Sequence, residues 1–237
     1  MKAFKIPYQD TQKFSKLVID YLNEDKRLNP FVNHFPSLDN FEKQIIEKQN
    51  HPINRKVLVE VLKHQNADLN LSEKSKKNID NLLNKEAFTI TTGHQLCVFT
   101  GPLYFLYKII STLNLVEQLQ EKFSENNFIP VFWMATEDHD FQEINHIHLF
   151  GKEIEWDSLQ SGPVGRMNLS KFESVLNELK LVLGESENAE KLLHLFENAY
   201  LKHQNLTQAT RFLVNELFGK YGLVILDGDD EKLKEQF

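Results

Sequence analysis

Phe88-Thr89-Ile90-Thr91-Thr92-Gly93-His94-Gln95 and, further on, Phe132-Trp133-Met134-Ala135-Thr136-Glu137-Asp138-His139-Asp140 decide the fold. Each begins as a run of β-branched and aromatic or apolar residues, the pattern of a buried strand, and ends in a polar cluster. Between them, after Phe99-Thr100-Gly101-Pro102-Leu103-Tyr104, the residues Leu106, Tyr107, Ile110, Leu113, Val116 and Leu119 recur at helical spacing as far as Lys122. Strand, polar loop, helix, strand and second polar cluster make a βαβ unit with a right-handed crossover. In a parallel sheet both clusters leave at the carboxyl edge, where open α/β folds bind ligands, so the two are expected to line one site.

Three motifs carry a family resemblance: Gly93-His94-Gln95, Phe99 to Tyr104 with Lys108, and Glu137 to Phe141 followed by Glu143-Ile144-Asn145-His146. Together they resemble the bacillithiol biosynthesis cysteine-adding enzymes, the BshC family. The resemblance extends more weakly from about Phe4 to the end of the chain. Members of that family are longer, so this sequence looks like their amino-terminal portion. The resemblance implies an α/β fold, a Rossmann-like parallel sheet core with a helical amino-terminal region and inserted helical segments. It also implies a ligase that joins L-cysteine to glucosaminyl-malate, and a homodimer formed at full length through a carboxy-terminal coiled coil.

Bulk properties bound the class. The 237 residues suffice for one large domain or two small ones with a sizeable core, and 41% hydrophobic with 26% charged residues is ordinary for a soluble globular protein. A net charge of -7 argues against a general nucleic-acid or anionic-membrane surface. The lone Cys97 excludes an intramolecular disulfide and suits a reducing compartment. Met1 to Asp10 does not read as a secretory signal, and the apolar run Phe128 to Ala135 is too short to span a bilayer. A cytoplasmic location is the expectation.

Periodicity divides the chain at about residue 86. Before it, helices are expected with caps at Asp10, Ser37 and Ser72 and a start near Pro52. After it comes the α/β core, 87–237, incomplete and carrying a helical insertion at about 168–220. Leu223-Val224-Ile225-Leu226, running into Asp227-Gly228-Asp229-Asp230, reads as a third parallel strand with its acidic loop at the same edge. Since the chain stops soon after that strand, the fragment alone is expected to expose a sheet edge and to be poorly soluble.

The loop from Gly93 to Tyr104 is the candidate ligand cradle. Glycines between strand and helix let backbone amides approach a ligand, and a helix amino terminus favours an anion. The substrate- or nucleotide-binding set is therefore Gly93, His94, Gln95, Thr100, Gly101, Tyr104 and Lys108. The layout is similar to the strand, His-bearing loop and helix of class I aminoacyl-tRNA synthetases and related nucleotidyltransferases, without the second histidine of their HxGH pattern. The bland alternative makes both glycines turn residues and His94 a satisfied polar group.

Glu137, Asp138, His139 and Asp140 form the candidate catalytic set, because a strand's carboxyl end is where reacting groups gather. His139 or Glu137 is the expected base toward an amine, with Asp138 or Asp140 orienting the imidazole or binding an ammonium group. His146 and His148 raise a transition-metal alternative, but no ligand spacing fixes a geometry, and no tightly bound metal is expected. Arg166, in the Gly165 loop, and Arg211, near a helix start, are candidate partners for a dicarboxylate or phosphate; the alternative is a structural ion pair, the preferred reading for Arg211. The chemistry implied is amide formation, with ATP as the expected energy source and Mg2+ accompanying its phosphates. The alternatives are a nucleotide- or sugar-phosphate-binding module and a nucleotidyltransferase-like enzyme.

Overall fold

The computed structural model describes residues 4–236. The chain divides into two compact units, one ending at Pro52 and one running from Ile53 onward. In the first, a 3-10 turn at Tyr8–Thr11 precedes α1 (Lys16–Leu22), which Ser15 caps by accepting the Val18 N–H at 3.4 Å. Asp10, the cap read from the sequence, lies inside that turn instead. Before α2 (Phe41–Gln49), Ser37 Oγ accepts the Asn40 N–H at 3.4 Å, so it shapes the approach and does not cap the helix.

The second unit opens with α3 (Arg55–Gln65), capped by Asn54 and so begun after the expected proline start, and α4 (Glu73–Asn81), capped by Ser72 as expected. Then follow β1 (Ala87–His94), α5 (Leu103–Lys122), β2 (Asn127–Met134) and the single turn α6 (Phe141–Ile144). The antiparallel pair β3 (His146–Leu149) and β4 (Lys152–Glu155) leads to α7 (Phe172–Leu183), α8 (Glu187–Leu201) and α9 (Leu206–Phe218). Last come β5 (Val224–Asp227) and α10 (Glu231–Lys234).

The main sheet has the order β1-β2-β5, all parallel. Alternation sends Phe132, Met134 and Ile225 to one face, where α5 and the α7–α9 segment bury them. Ile129, Val131, Val224 and Leu226 go to the other, against Val59 and Leu62 of α3, Ile79 of α4 and Leu82 just after it. Burying a side chain of this size contributes about 1.5–3 kcal/mol, so both helical layers hold to the sheet without staples. The helical region read as residues 1–86 is thus split: α3 and α4 belong with the sheet because their apolar stripes are its cover.

Polar groups tie α3 and α4 to the last strand. Asn66 Nδ2 donates to Ile225 O at 3.1 Å, Asn78 Nδ2 to Gly222 O at 2.7 Å, and the Ser75 hydroxyl lies 3.1 Å from Leu223 O. On the opposite face the inserted helices reach the β1–α5 loop. Tyr200 of α8, fully buried and stacked on Phe172 at 4.3 Å, accepts the Phe99 N–H on its Oη at 2.7 Å. Tyr200→Phe removes that acceptor and orphans a buried amide, so unfolding in urea is expected to show a loss of about 1–3 kcal/mol.

Candidate functional site

His94, Met134 and Asp227 share one row of the sheet, so the three parallel strands end level and release their polar loops at one edge. The juxtaposition expected from the βαβ pattern is therefore present. Gln95, the first residue after β1, makes the link: its Nε2 donates to Asp138 Oδ2 and to Glu143 Oε2, both at 2.8 Å. One amide spends both its protons on two carboxylates from the segment that follows β2.

Asp138 is the best-anchored acid of the cluster. Besides Gln95, its Oδ1 accepts the N–H of His139 at 2.7 Å and of Asp140 at 3.2 Å. The Gln95 hydrogen bond, helped by those amides and working against burial, holds its pKa below the usual aspartate value. A group whose pKa is depressed on folding contributes stability above its unfolded value near 4, and that contribution is lost as pH falls through the folded value. Asp138→Asn is therefore expected to lower the urea midpoint at neutral pH, with the gap from wild type closing as pH falls below the unfolded value of about 4.

His139 is placed differently from its expected role. Its side chain is 88% exposed and its Nδ1 lies 4.0 Å from Asp138 Oδ1, beyond hydrogen-bond reach, so no carboxylate fixes its tautomer. Glu137 is exposed, and Asp140 caps α6 by accepting the Glu143 N–H at 3.3 Å. A lone imidazole at the surface has no packing to orient it, a property that a charge run in the sequence does not reveal.

His94 has the fixed geometry that His139 lacks. Only 7% exposed, it packs its ring against Tyr104 and Phe105, with centroids 5.0 and 5.1 Å away. Its Nδ1 lies 3.0 Å from Gln95 O, and since a carbonyl only accepts, Nδ1 carries the proton and Nε2 the lone pair. Burial lowers its pKa, the Gln95 carbonyl opposes this, and the charge of Lys108 adds to it. The ring is thus a neutral acceptor at physiological pH.

The two loop glycines serve packing more than ligand approach. Gly93 lies within β1, opposite Trp133, whose carbonyl oxygen would sit 3.3 Å from an added Cβ. Gly101, at φ +51°, lies where a Cβ would come within 2.4 Å of Cys97 Cβ. Phe99 and Thr100 also have positive φ, and the Gly101 N–H is already bonded to Val98 O at 2.8 Å. With the Phe99 amide taken by Tyr200, the loop is a tight structural turn. What remains for an anion is the first turn of α5, half-exposed Tyr104 and the exposed Lys108. Cys97 is buried, and burial pushes its thiol up to about 11.

A third loop joins this edge. The Val164 and Gly165 amides donate to Asp138 O at 2.7 Å and Thr136 O at 3.0 Å, fixing the Gly165 loop against the cluster. Arg166, expected to be available to a ligand, is instead held by Asp229, with Nη2 and Nε at 2.6 and 2.8 Å from Oδ2. Burial disfavours the Asp229 carboxylate, but Lys234 and Arg166 outweigh it and lower its pKa. Thr136 Oγ1 donates to Asp227 Oδ1, whose other oxygen receives Arg211 Nη2 at 3.2 Å. His146 and His148 stack edge to face at 5.3 Å, and among the described residues no three His, Cys, Asp or Glu side chains gather as a metal-binding group.

Sequence reasoning left Glu143 out of the site set although its cue was present. Asp140 and Glu143 stand at the spacing of a capping box, which predicts a turn that swings Glu143 back toward the strand end. Thr136 and Tyr200 had no comparable cue.

A three-stranded parallel sheet with helices on both faces and its polar groups at the carboxyl edge defines an α/β protein of the Rossmann-like class. The family model described as "Bacillithiol biosynthesis BshC, N-terminal Rossmann-like domain" matches residues 1–237, and the chain belongs to this family. Relatives named "Putative cysteine ligase BshC" include a Flavobacterium psychrophilum protein, 52% identical over 98% of this chain and 44% of its own length. One from Cytophaga hutchinsonii is 44% identical over all of this chain and 44% of its own, and one from Staphylococcus saprophyticus is 29% identical over 90% and 41%. The chain thus spans less than half the length of these relatives. Among the described residues no helix is long and apolar enough to cross a membrane.

Proposed function

We propose that this chain is the Rossmann-like part of a ligase that forms an amide between the carboxyl group of L-cysteine and the amine of glucosaminyl-malate, in bacillithiol biosynthesis. The observation that carries the reading is the Gln95 amide bonded to Asp138 and Glu143 at 2.8 Å each, which makes one polar site of two loops beside a neutral imidazole. Family membership, and relatives named "Putative cysteine ligase BshC", support the reaction class.

Amide formation asks three things of the site. The acceptor arrives as an ammonium ion, for which the Asp138 and Glu143 carboxylates are suitable neighbours. It must lose a proton before its nitrogen attacks the acyl carbon, and His94 Nε2 is the fixed, unprotonated acceptor; His139 and Glu137 are too exposed to be preferred. The cysteine carboxyl must carry a leaving group, which departs with the bonding electron pair. ATP would supply that group as an activating phosphate, with Mg2+ on its phosphates. The amino-terminal turn of α5 and Lys108 are the cationic features on that side. Arg166 serves the malyl carboxylates only through Nη1, or by exchanging with Asp229.

Deleting the gene in its host and profiling low-molecular-weight thiols tests the reading. Loss of bacillithiol with accumulation of glucosaminyl-malate is expected. An unchanged thiol pool would refute it and favour a nucleotide- or sugar-phosphate-binding role.

A further inference from the structure

A cleft of about 310 Å3 opens beyond the carboxyl end of β5, between the end of α3 and the turn from α8 to α9. Gln65, Asp68, Lys202, His203, Gln208 and Arg211 are among the residues that line it. Small-molecule sites begin at about 300 Å3, so the space suits a compact metabolite. None of these residues belongs to the Gln95–Asp138–Glu143 bracket.

Arg211 is out of keeping with a purely structural role. Its side chain is 12% exposed, yet among the described residues its guanidinium makes one hydrogen bond, Nη2 to Asp227 Oδ2 at 3.2 Å. Its Nε is buried with no partner. A guanidinium has five N–H donors, and a buried cation left this short of acceptors is costly. Asp227 has little more to offer, because its Oδ1 already accepts the Thr136 hydroxyl and the Asp229 N–H at 3.0 Å. Among the described residues no further hydrogen-bond acceptor reaches Arg211, only the charge of Asp68 acts on it besides Asp227, and as a lining residue of the cleft it can take an acceptor there.

The remaining wall sets the ligand's charge. Gln208 Oε1 is taken by the Gln204 N–H at 3.0 Å, which turns its amide nitrogen into a donor, and Lys202 is exposed. His203 commits Nδ1–H to the carbonyls of Ala199 and Asn198 at 2.9 and 3.1 Å. Against Arg211 and Lys202 stand Asp68 in the wall and, outside the lining, Asp227, which pairs with Arg211, so the cations and anions balance. A neutral wall gives a bare anion no net attraction, whereas a molecule carrying both charges meets a partner for each.

We propose that this cleft binds a small zwitterion, with its oxyanion on Arg211 and Gln208 and its ammonium group on Asp68. The oxyanion is a carboxylate or a phosphate, and the assignment does not depend on the ligase reading. L-Alanine and O-phosphoethanolamine are the two probes, with propionate and ethylamine as analogues that each lack one charge. Calorimetric titration of the intact protein is expected to give saturable binding of at least one zwitterion, about tenfold or more tighter than either analogue. Asp68→Asn, at an exposed position, should weaken the zwitterion by about tenfold without weakening propionate. Gln208→Glu keeps the bond to Gln204 but sets a carboxylate beside Arg211, and should abolish binding. Gln95→Ala should leave it intact. No binding of either zwitterion, equal binding of propionate, or indifference to Asp68→Asn would overturn the assignment, as would loss of binding in Gln95→Ala, which would place the ligand at the bracket.

Discussion

On the proposed ligase reading, His94→Asn in the full-length protein is expected to lower amide formation by about 100-fold or more, the loss typical of a missing general base. Asparagine can keep the Nδ1-type donor to Gln95 O, so the turn after β1 should survive, although the Nε2 lone pair and the ring's packing on Tyr104 and Phe105 are lost. A melting curve separates the two effects: the midpoint should move little while product, followed by thiol chromatography, falls. His139→Asn is the control. Its ring is exposed and bonded to no carboxylate, and a small effect there beside a large one at His94 would locate proton removal at the end of β1. The reverse pattern would return it to the segment after β2.

Gly165→Val is expected to destabilise the fold by about 3 kcal/mol or more, at the upper end of overpacking costs. A Cβ at this position would stand 2.4 Å from Thr207 Oγ1, 2.7 Å from Thr136 Cβ and 2.9 Å from Thr136 O. The last of these is backbone and cannot swing away. Gly165 also accepts the Thr207 hydroxyl at 2.9 Å and donates to Thr136 at 3.0 Å, so any shift that relieves the clash breaks bonds on both sides. Urea unfolding reads the loss; a midpoint within 1 kcal/mol of wild type, about the size of a tolerated core swap, would show that the loop gives way.

The strands and the long helix were legible because their signals are local. Phe88 to Thr92 and Phe128 to Met134 are dense in strand-forming residues, the α5 stripe repeats over many turns, and Ser72 caps α4 as a serine before a helix should. Caps were less certain where two suitable residues lie close together: Asp10 and Ser15 both precede the α1 stripe, and apolar spacing does not choose between them. A glycine ending a β-rich run reads as the end of the strand, yet Gly93 continues the ladder because Trp133 needs the space. The site was half readable. Parallel pairing predicted that Gln95 and Asp138 would meet, but the burial that sets His94 apart from His139 comes from side chains of α5 that no local pattern assigns. Arg166 and Arg211 met acids of the last loop and strand, which only the third strand's position brings close.

The bonds from α3 and α4 to β5 also dictate an order of assembly. Asn66 and Ile225 are 159 positions apart in sequence, and Gln65 reaches the Asp227 backbone over 162. Such contacts reward the chain only after a long closure, whereas β1, α5 and β2 can associate as soon as they exist. On the ribosome, where the amino terminus appears first, α3 and α4 can meet Ile129 and Val131 of β2 early, but their bonds to β5 wait until that strand has been made. Until then those early helices are covered only in part, by the first two strands.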